Sequence, residues 1–393
     1  MERRAFLKGA GVATILVLGG GVWRAYDRGV FSVGEGPAFE PWKDWRETKE
    51  GPLALVRAAI LAASPHNTQP WLFKVTDSSI DLYLDCRRYP GALDPYLREE
   101  HIGMGCALEN LMLAAPANGY AASATLLPGK LIQSAAYPEH ELVAQVALAP
   151  GQKQRSELYD AIPYRHTNRN AYGPQPLPPD FVEEIRQLAS DETDAKVFVF
   201  TSDEDRNRIV DMISKANDIV YADPQVQLGS ERWVRTEWTD VQKFRDGLIL
   251  DEFGQSPLIV AGIKFMPPKG LRFAFKHKLL PAFSYKDLLH ATPLFGVIAV
   301  RDRYDREQCL SAGRIWQRIH LLTTARHLAG RPVNEAVELV DHQRSLNQEP
   351  EALADLSALI GENTWQPTFM FRLGHPVRQV APSPRRPVND VLL

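Results

Sequence analysis

Two short stretches bring together side chains able to do chemistry. The first, "SPHNTQPW" from Ser64 to Trp71, sets the carboxamides of Asn67 and Gln69 between Pro65 and Pro70. A carboxamide offers both a donor and an acceptor. The two prolines restrict the local backbone, so the amides arrive preorganised. Such amides suit the edge of a planar heterocycle, with Ser64 for neighbouring hydroxyls. They equally suit a structural turn in which they cap backbone groups. The second stretch, "RHTNR", runs from Arg165 to Arg169 with His166 and Thr167 between the arginines. One helical turn would bring both guanidinium groups to one side, where their planar forks match phosphate oxygens. The plainer reading is a solvated basic turn. Near the end of the chain, Arg385 and Arg386 either close such an anion site or form a disordered basic tail.

Other chemistries are poorly supported. The net charge is -3 and charged residues make up 24% of the chain, so the basic excess of a nucleic-acid surface is absent. The three cysteines, Cys86, Cys106 and Cys309, have no C-x-x-C spacing, and neither a zinc site nor a disulfide framework is expected. A Cys86–Cys106 pair remains open in an oxidising compartment. The ten histidines show no H-E-x-x-H spacing. No Ser-His-Asp or Cys-His arrangement stands out, so no catalytic side chain is named.

The elements that would position these groups follow from apolar periodicity. Residues 52–63 have helical spacing. "WLFKV" and "IDLYLD" alternate as a strand pair, and "REEHIGMGCALENLMLAAPANGY" reads as a long buried helix. "HELVAQVALA", "AKVFVFT", "LFGVIAV" and "FMFRLGHP" read as strands, while "SPLIVAGI" fits strand or helix. A helix starts near Pro179 and another covers "QCLSAGRIWQRIHLLTTARHLAG". Residues 220–290 look irregular, aromatic and basic. A faint repeat places Gly105 over Gly313, Glu109 over Gln317, Leu111 over Ile319, Leu113 over Leu321 and Ala117 over Ala325. At the N-terminus, Arg3 and Arg4 precede Phe6-Leu7-Lys8 and an apolar run from Gly9 to Trp23. This resembles a twin-arginine export signal. A Sec-type signal or an uncleaved anchor is the alternative, although the run is short for a spanning helix.

"SPHNTQPW" also resembles the S-x-x-N-x-Q-P-W signature of the FMN-dependent nitroreductase family. "RHTNR" is similar to the basic opening of that fold, and "FRLGHP" followed by "RRP" to its C-terminal end. The twin-arginine start and the chain length resemble the two-lobed Acg family. The resemblance implies an α+β nitroreductase fold and an FMN cofactor. Its phosphate would be held by Arg165, His166, Thr167 and Arg169, with Arg385 and Arg386 closing the site. Ser64, Pro65, Asn67 and Gln69 would meet the ring and ribityl chain. Pro332 and Asn334, in "GRPVNEAVE", would face the reactive flavin nitrogen. The octapeptide occurs only in a half spanning 36–155, and the basic pentapeptide only in a half spanning 156–393. The expectation is a fused pseudo-dimer with one flavin per chain, preceded by a signal and linker over 1–35. Residues 220–290 would be a lid or an ordinary packing excursion. The implied activity is reduction of nitroaromatic or quinone-like small molecules by an unknown electron donor; the alternative is an FMN-sequestering or storage protein. Export through the twin-arginine machinery would leave it periplasmic, or anchored in the inner membrane and facing the periplasm.

Overall fold

The computed structural model describes residues 27–46, 51–190, 192–265 and 285–393. The Arg3-Arg4 pair, the apolar run after it and residues 266–284 of the aromatic-basic stretch lie outside the described residues. In chain order the helices are α1 (Glu40–Asp44), α2 (Leu53–Ala59), α3 (Arg98–Ala117), α4 (Glu157–Ala161), α5 (Pro179–Gln187), α6 (Asp203–Val220) and α7 (Pro224–Glu231). They continue with α8 (Trp238–Phe244), α9 (Pro257–Lys264), α10 (Tyr285–His290), α11 (Arg306–Ala325), α12 (Glu335–Ser345) and α13 (Glu351–Ile360).

The architecture is α+β, and it repeats itself. In the first half, β1 (Trp71–Val75), β2 (Ser79–Asp85), β3 (Tyr120–Leu126) and β4 (His140–Pro150) form an antiparallel sheet in the order β1-β2-β4-β3. The long helix α3 lies between β2 and β3 in the chain. In the second half, the corresponding strands are β6 (Ala195–Phe200), β9 (Leu294–Val300), β10 (Ala329–Pro332) and β11 (Gln366–Pro376). Their order is β6-β9-β11-β10, again antiparallel, with α11 between β9 and β10. Chain order and spatial order therefore match, strand for strand. A short strand β5 (Tyr172–Gly173) pairs with β11, and β7 (Val234–Arg235) pairs with β8 (Leu248–Ile249).

The two long helices cross at the glycines aligned by the sequence repeat. A methyl group on Gly105 would overlap the carbonyl oxygen of Leu310 and lie 3.0 Å from Gly313 Cα. A methyl group on Gly313 would overlap the carbonyl oxygen of Ile102 and lie 3.0 Å from Gly105 Cα. Each obstructing carbonyl sits three residues before the opposite glycine, so the contact is reciprocal, as around a two-fold axis. Beside the crossing, Gln317 donates to Asn110 at 2.8 Å, and Glu109 pairs with Arg314 and Arg318. A buried ionic group also ties the halves: Asp341 on α12 accepts from Arg98 at 2.6 Å and Arg303 at 3.0 Å.

Several expectations change. The "SPLIVAGI" stretch forms helix α9, because Ser256 caps it by accepting from the Ile259 N–H at 3.3 Å. The part of 220–290 that is described is not irregular, since it carries α7 to α10. All three cysteines are buried free thiols, so the Cys86–Cys106 pair is not formed; Cys106 Sγ instead donates to Gly313 O at 3.3 Å. The C-terminal tail is ordered. Its Leu392 bridges Phe73 in parallel at the edge of the first sheet. Upstream, Ser383 O accepts from the Trp42 indole at 2.7 Å, and the Arg385 N–H donates to Ala38 O at 2.7 Å. Among the described residues, no helix is long and apolar enough to cross a membrane.

Candidate functional site

The octapeptide links α2 to β1 through a strained turn. His66, Asn67 and Gln69 have φ values of 45°, 54° and 51°. Non-glycine residues in the left-handed region cost on the order of 1–3 kcal/mol each, and they persist where the surroundings dictate them. Here the surroundings are distant in sequence. Asn67 Nδ2 donates to Gly247 O at 3.0 Å and Pro384 O at 2.9 Å, while Oδ1 accepts from Arg385 at 2.5 Å. Gln69 Nε2 donates to Arg245 O at 2.8 Å and Pro384 O at 3.3 Å. Its Oε1 accepts from the Arg386 N–H at 2.8 Å, and its own N–H donates to Ser64 Oγ at 3.0 Å. Both amides are saturated by backbone and by Arg385. The turn-capping reading is the one the geometry favours, and neither amide offers a free edge to a ring. Pro65 opens the short 3-10 turn that carries His66 and Asn67.

The basic pentapeptide is extended, with Arg165 at φ -74° and ψ 107°, so the expected helical turn does not form. Pairing overrides it: Thr167 bridges Gly330 in parallel, and the Asn168 N–H donates to Gly330 O at 3.1 Å. Arg165 is buried, with NH2 donating to Leu61 O at 3.2 Å and NH1 lying 3.4 Å from His320 Nδ1. Arg385 is equally buried and donates to Ala62 O at 3.1 Å and Pro384 O at 2.9 Å. Both cations thus sit at the carbonyl end of α2, where a helix dipole favours positive charge. Both lie over the Trp42 ring, at 4.7 Å for Arg385 and 5.9 Å for Arg165, and His166 meets the same ring edge-on at 4.6 Å.

Neither buried guanidinium forms an ion pair among the described residues, and the Nε of each lacks a partner. Glu252 supplies the local negative charge, 4.0 Å from Arg169. Burial pulls Arg165 down to about 10, and it lowers Arg385 as well, with Arg165 adding repulsion. His166 is held at about 3 and His66 at about 4, by burial first and by neighbouring arginines second. Both are neutral near pH 7. Two adjacent buried cations with no ion-pair partner are costly, and a dianion placed against them relieves that cost.

The remaining expected residues separate from this pair. Arg386 turns away, donating to Gln69 O at 3.2 Å and to Asp390 O. Asn334 starts α12 and accepts from the Met370 N–H at 2.8 Å, and Pro332 lies opposite Phe371 in the second sheet. Their observed partners are structural. Trp42, His320 and Glu252 belong to the site but carry no motif. Part of the 220–290 stretch packs onto both motifs. The Gly247 N–H donates to Asn67 O at 3.1 Å, and a methyl on Gly254 would lie 2.7 Å from Arg169 O.

No protein-family model matches the chain. Two curated proteins of Mycobacterium tuberculosis, from strains CDC 1551 and H37Rv and described as proposed NAD(P)H nitroreductases, are each 30% identical to it over 123 residues. That stretch is 30% of this chain and spans 33% of each relative's length. Among solved structures, the FMN-dependent nitroreductase of Mycobacterium smegmatis in complex with NADPH aligns with 14% identity and a TM-score of 0.37, covering 60% of this chain and 96% of that one. A Bacteroides fragilis nitroreductase with bound FMN aligns with 13% identity and a TM-score of 0.32, covering 56% and 89%.

Proposed function

We propose that the chain is an FMN-binding oxidoreductase of nitroreductase type, with one flavin site built from both halves. The observation that carries this reading is the Arg165–Arg385 pair, buried on Trp42 with no ion-pair partner among the described residues. The phosphate end of FMN fits it: a phosphate monoester brings close to two negative charges, and each guanidinium has an unused Nε donor. Arg165 and Arg385 would hold the phosphate, with His166 as a neutral neighbour and Arg169 further along the same extended segment. When bound, FMN supplies reversible electron transfer to a small acceptor such as a nitroaromatic or a quinone. Ser64, Pro65, Asn67 and Gln69 act indirectly, by fixing the tail and the 245–254 segment around the cations. That segment excludes water from the site. The resemblance to nitroreductases in the octapeptide and pentapeptide supports the assignment, as does the 30% identity to the mycobacterial proteins. The halves are 36–155 and 156–393, and the Arg3-Arg4 stretch is read as a twin-arginine signal that delivers the folded protein to the periplasm or its inner-membrane face.

A second reading is a protein that sequesters FMN without turnover. The saturated amides of Asn67 and Gln69 favour it, because they clamp the 245–254 segment shut over the site. One experiment tests both. The purified chain is examined for flavin absorbance, bleached with dithionite and mixed with a nitroaromatic. A colourless protein that takes up no FMN refutes both readings. Rapid return of the yellow colour supports the oxidoreductase, and persistent bleaching supports sequestration.

A further inference from the structure

A second group of arginines lies along the same stretch of backbone and is not needed for a phosphate. Strands β10 and β11 pair with Arg331 directly opposite Arg372. Side chains opposed in this way share one face of a sheet, and like charges there repel. The parallel Thr167–Gly330 bridge carries the chain past Arg331, and Arg169, two residues on from Thr167, lies close enough for Arg331 to repel its charge. Arg372 is buried against the Tyr172 ring at 4.0 Å and donates to Asn170 O at 2.7 Å and Leu288 O at 3.2 Å. Its Nε has no partner. Arg331 is half-buried over the Tyr285 ring at 5.1 Å and forms no ion pair among the described residues. The adjoining carboxylate, Glu335, accepts from the Tyr285 hydroxyl, and its second oxygen is unpartnered. Beyond it, burial pushes Glu338 well up and Glu99 up to about 8. Among the described residues Arg165, Arg331, Arg372 and Arg385 form no ion pair, and Glu252 lies 4.0 Å from Arg169.

We propose that Arg331, with Arg169 and Arg372 beside it and Tyr285 as an aromatic platform, is a binding site for the carboxylate of an aromatic acid. A guanidinium fork matches a carboxylate with two parallel hydrogen bonds, Arg331 has no ion-pair partner among the described residues, and the Tyr285 ring suits an aromatic body. That this acid is the electron acceptor rests on the oxidoreductase reading; the anion site itself does not.

The test compares 4-nitrobenzoate with 4-nitrobenzamide, which differ in charge at one position. Each is titrated into the full chain by calorimetry, with and without FMN. The wild type is expected to bind the carboxylate about tenfold more tightly than the amide, the difference ascribed to one charge-assisted contact. Arg331→Gln should bring the two affinities together, and Arg331→Lys should keep part of the preference. Equal affinities in the wild type, or no binding of either compound, overturn the site without need of a variant. A preference that survives in a folded Arg331→Gln protein also overturns it. A preference in protein that never takes up FMN supports the anion site while the flavin reading falls.

Discussion

Arg165 and Arg385 carry the most informative electrostatics in the chain. Helix-end carbonyls and the Trp42 face hold their geometry, but none of these neutralises charge. If a phosphate does, Arg165→Ala removes a charge-assisted bond worth roughly 1.5–3 kcal/mol. FMN affinity should then fall about ten- to a hundredfold. Riboflavin lacks the phosphate, so its affinity should change much less. Titrating both ligands against wild type and variant, with quenching of flavin fluorescence as the signal, decides the point. Equal losses for the two would make Arg165 a helix cap and nothing more. Arg386→Ala is the internal contrast: its side chain bonds Gln69 O and Asp390 O, so FMN and riboflavin should respond alike.

At the scale of elements, the crossing of α3 and α11 sets the relation between the halves. Gly105→Ala places a methyl against the Leu310 carbonyl, which is backbone and cannot swing away. The helices must separate, at a cost on the order of 1–3 kcal/mol. Gly313→Ala should cost a similar amount, because the contact is reciprocal; thermal melts of both variants check this. The buried ionic group beside the crossing gives a pH signature. Burial, with Asp94, Asp341 and Glu335 adding repulsion, outweighs Arg98 and pushes Glu99 from 4.5 up to about 8. Between those values the folded state holds a proton that the unfolded chain releases, so the Glu99 contribution is full below pH 4.5 and is lost as pH rises through 8. Glu99→Gln mimics the protonated form. Its stability relative to wild type, from urea unfolding, should therefore be higher at pH 8 than at pH 5. An unchanged difference would contradict the assignment.

Legibility at this scale followed the chemistry of each segment. Apolar alternation marked "WLFKV" and a continuous apolar run marked "LFGVIAV", whose strands are largely buried. The strand "YAASATL" was not visible, because small and hydroxyl residues replace the apolar set; its pairing with β4 supplies the order instead. The residue types of the octapeptide were legible as preorganised amides. Their partners were not, since Gly247 and Pro384 lie 180 and 317 positions from Asn67. The helical turn expected at Arg165–Arg169 lost to pairing with Gly330, a long-range contact that local spacing does not reveal.

At the scale of the whole molecule, two copies of one topology carry complementary motifs, octapeptide in one and pentapeptide in the other. The site exists only once the chain has folded, because it joins Trp42, Asn67, Arg165 and Arg385. Export of a loaded protein then requires a route for folded chains, which is the role proposed for Arg3-Arg4. Arg3→Lys with Arg4→Lys keeps the charge and should leave a folded yellow protein in the cytoplasm, as cell fractionation would show; normal export of the double variant would remove the twin-arginine assignment. The central claim is a single composite flavin site per chain, and its most direct measurement is stoichiometry. The full chain is saturated with FMN, freed of excess ligand and heat-denatured, and the released flavin is quantified against protein. The account predicts a ratio of one; a ratio of two, or no retained flavin at all, would contradict it.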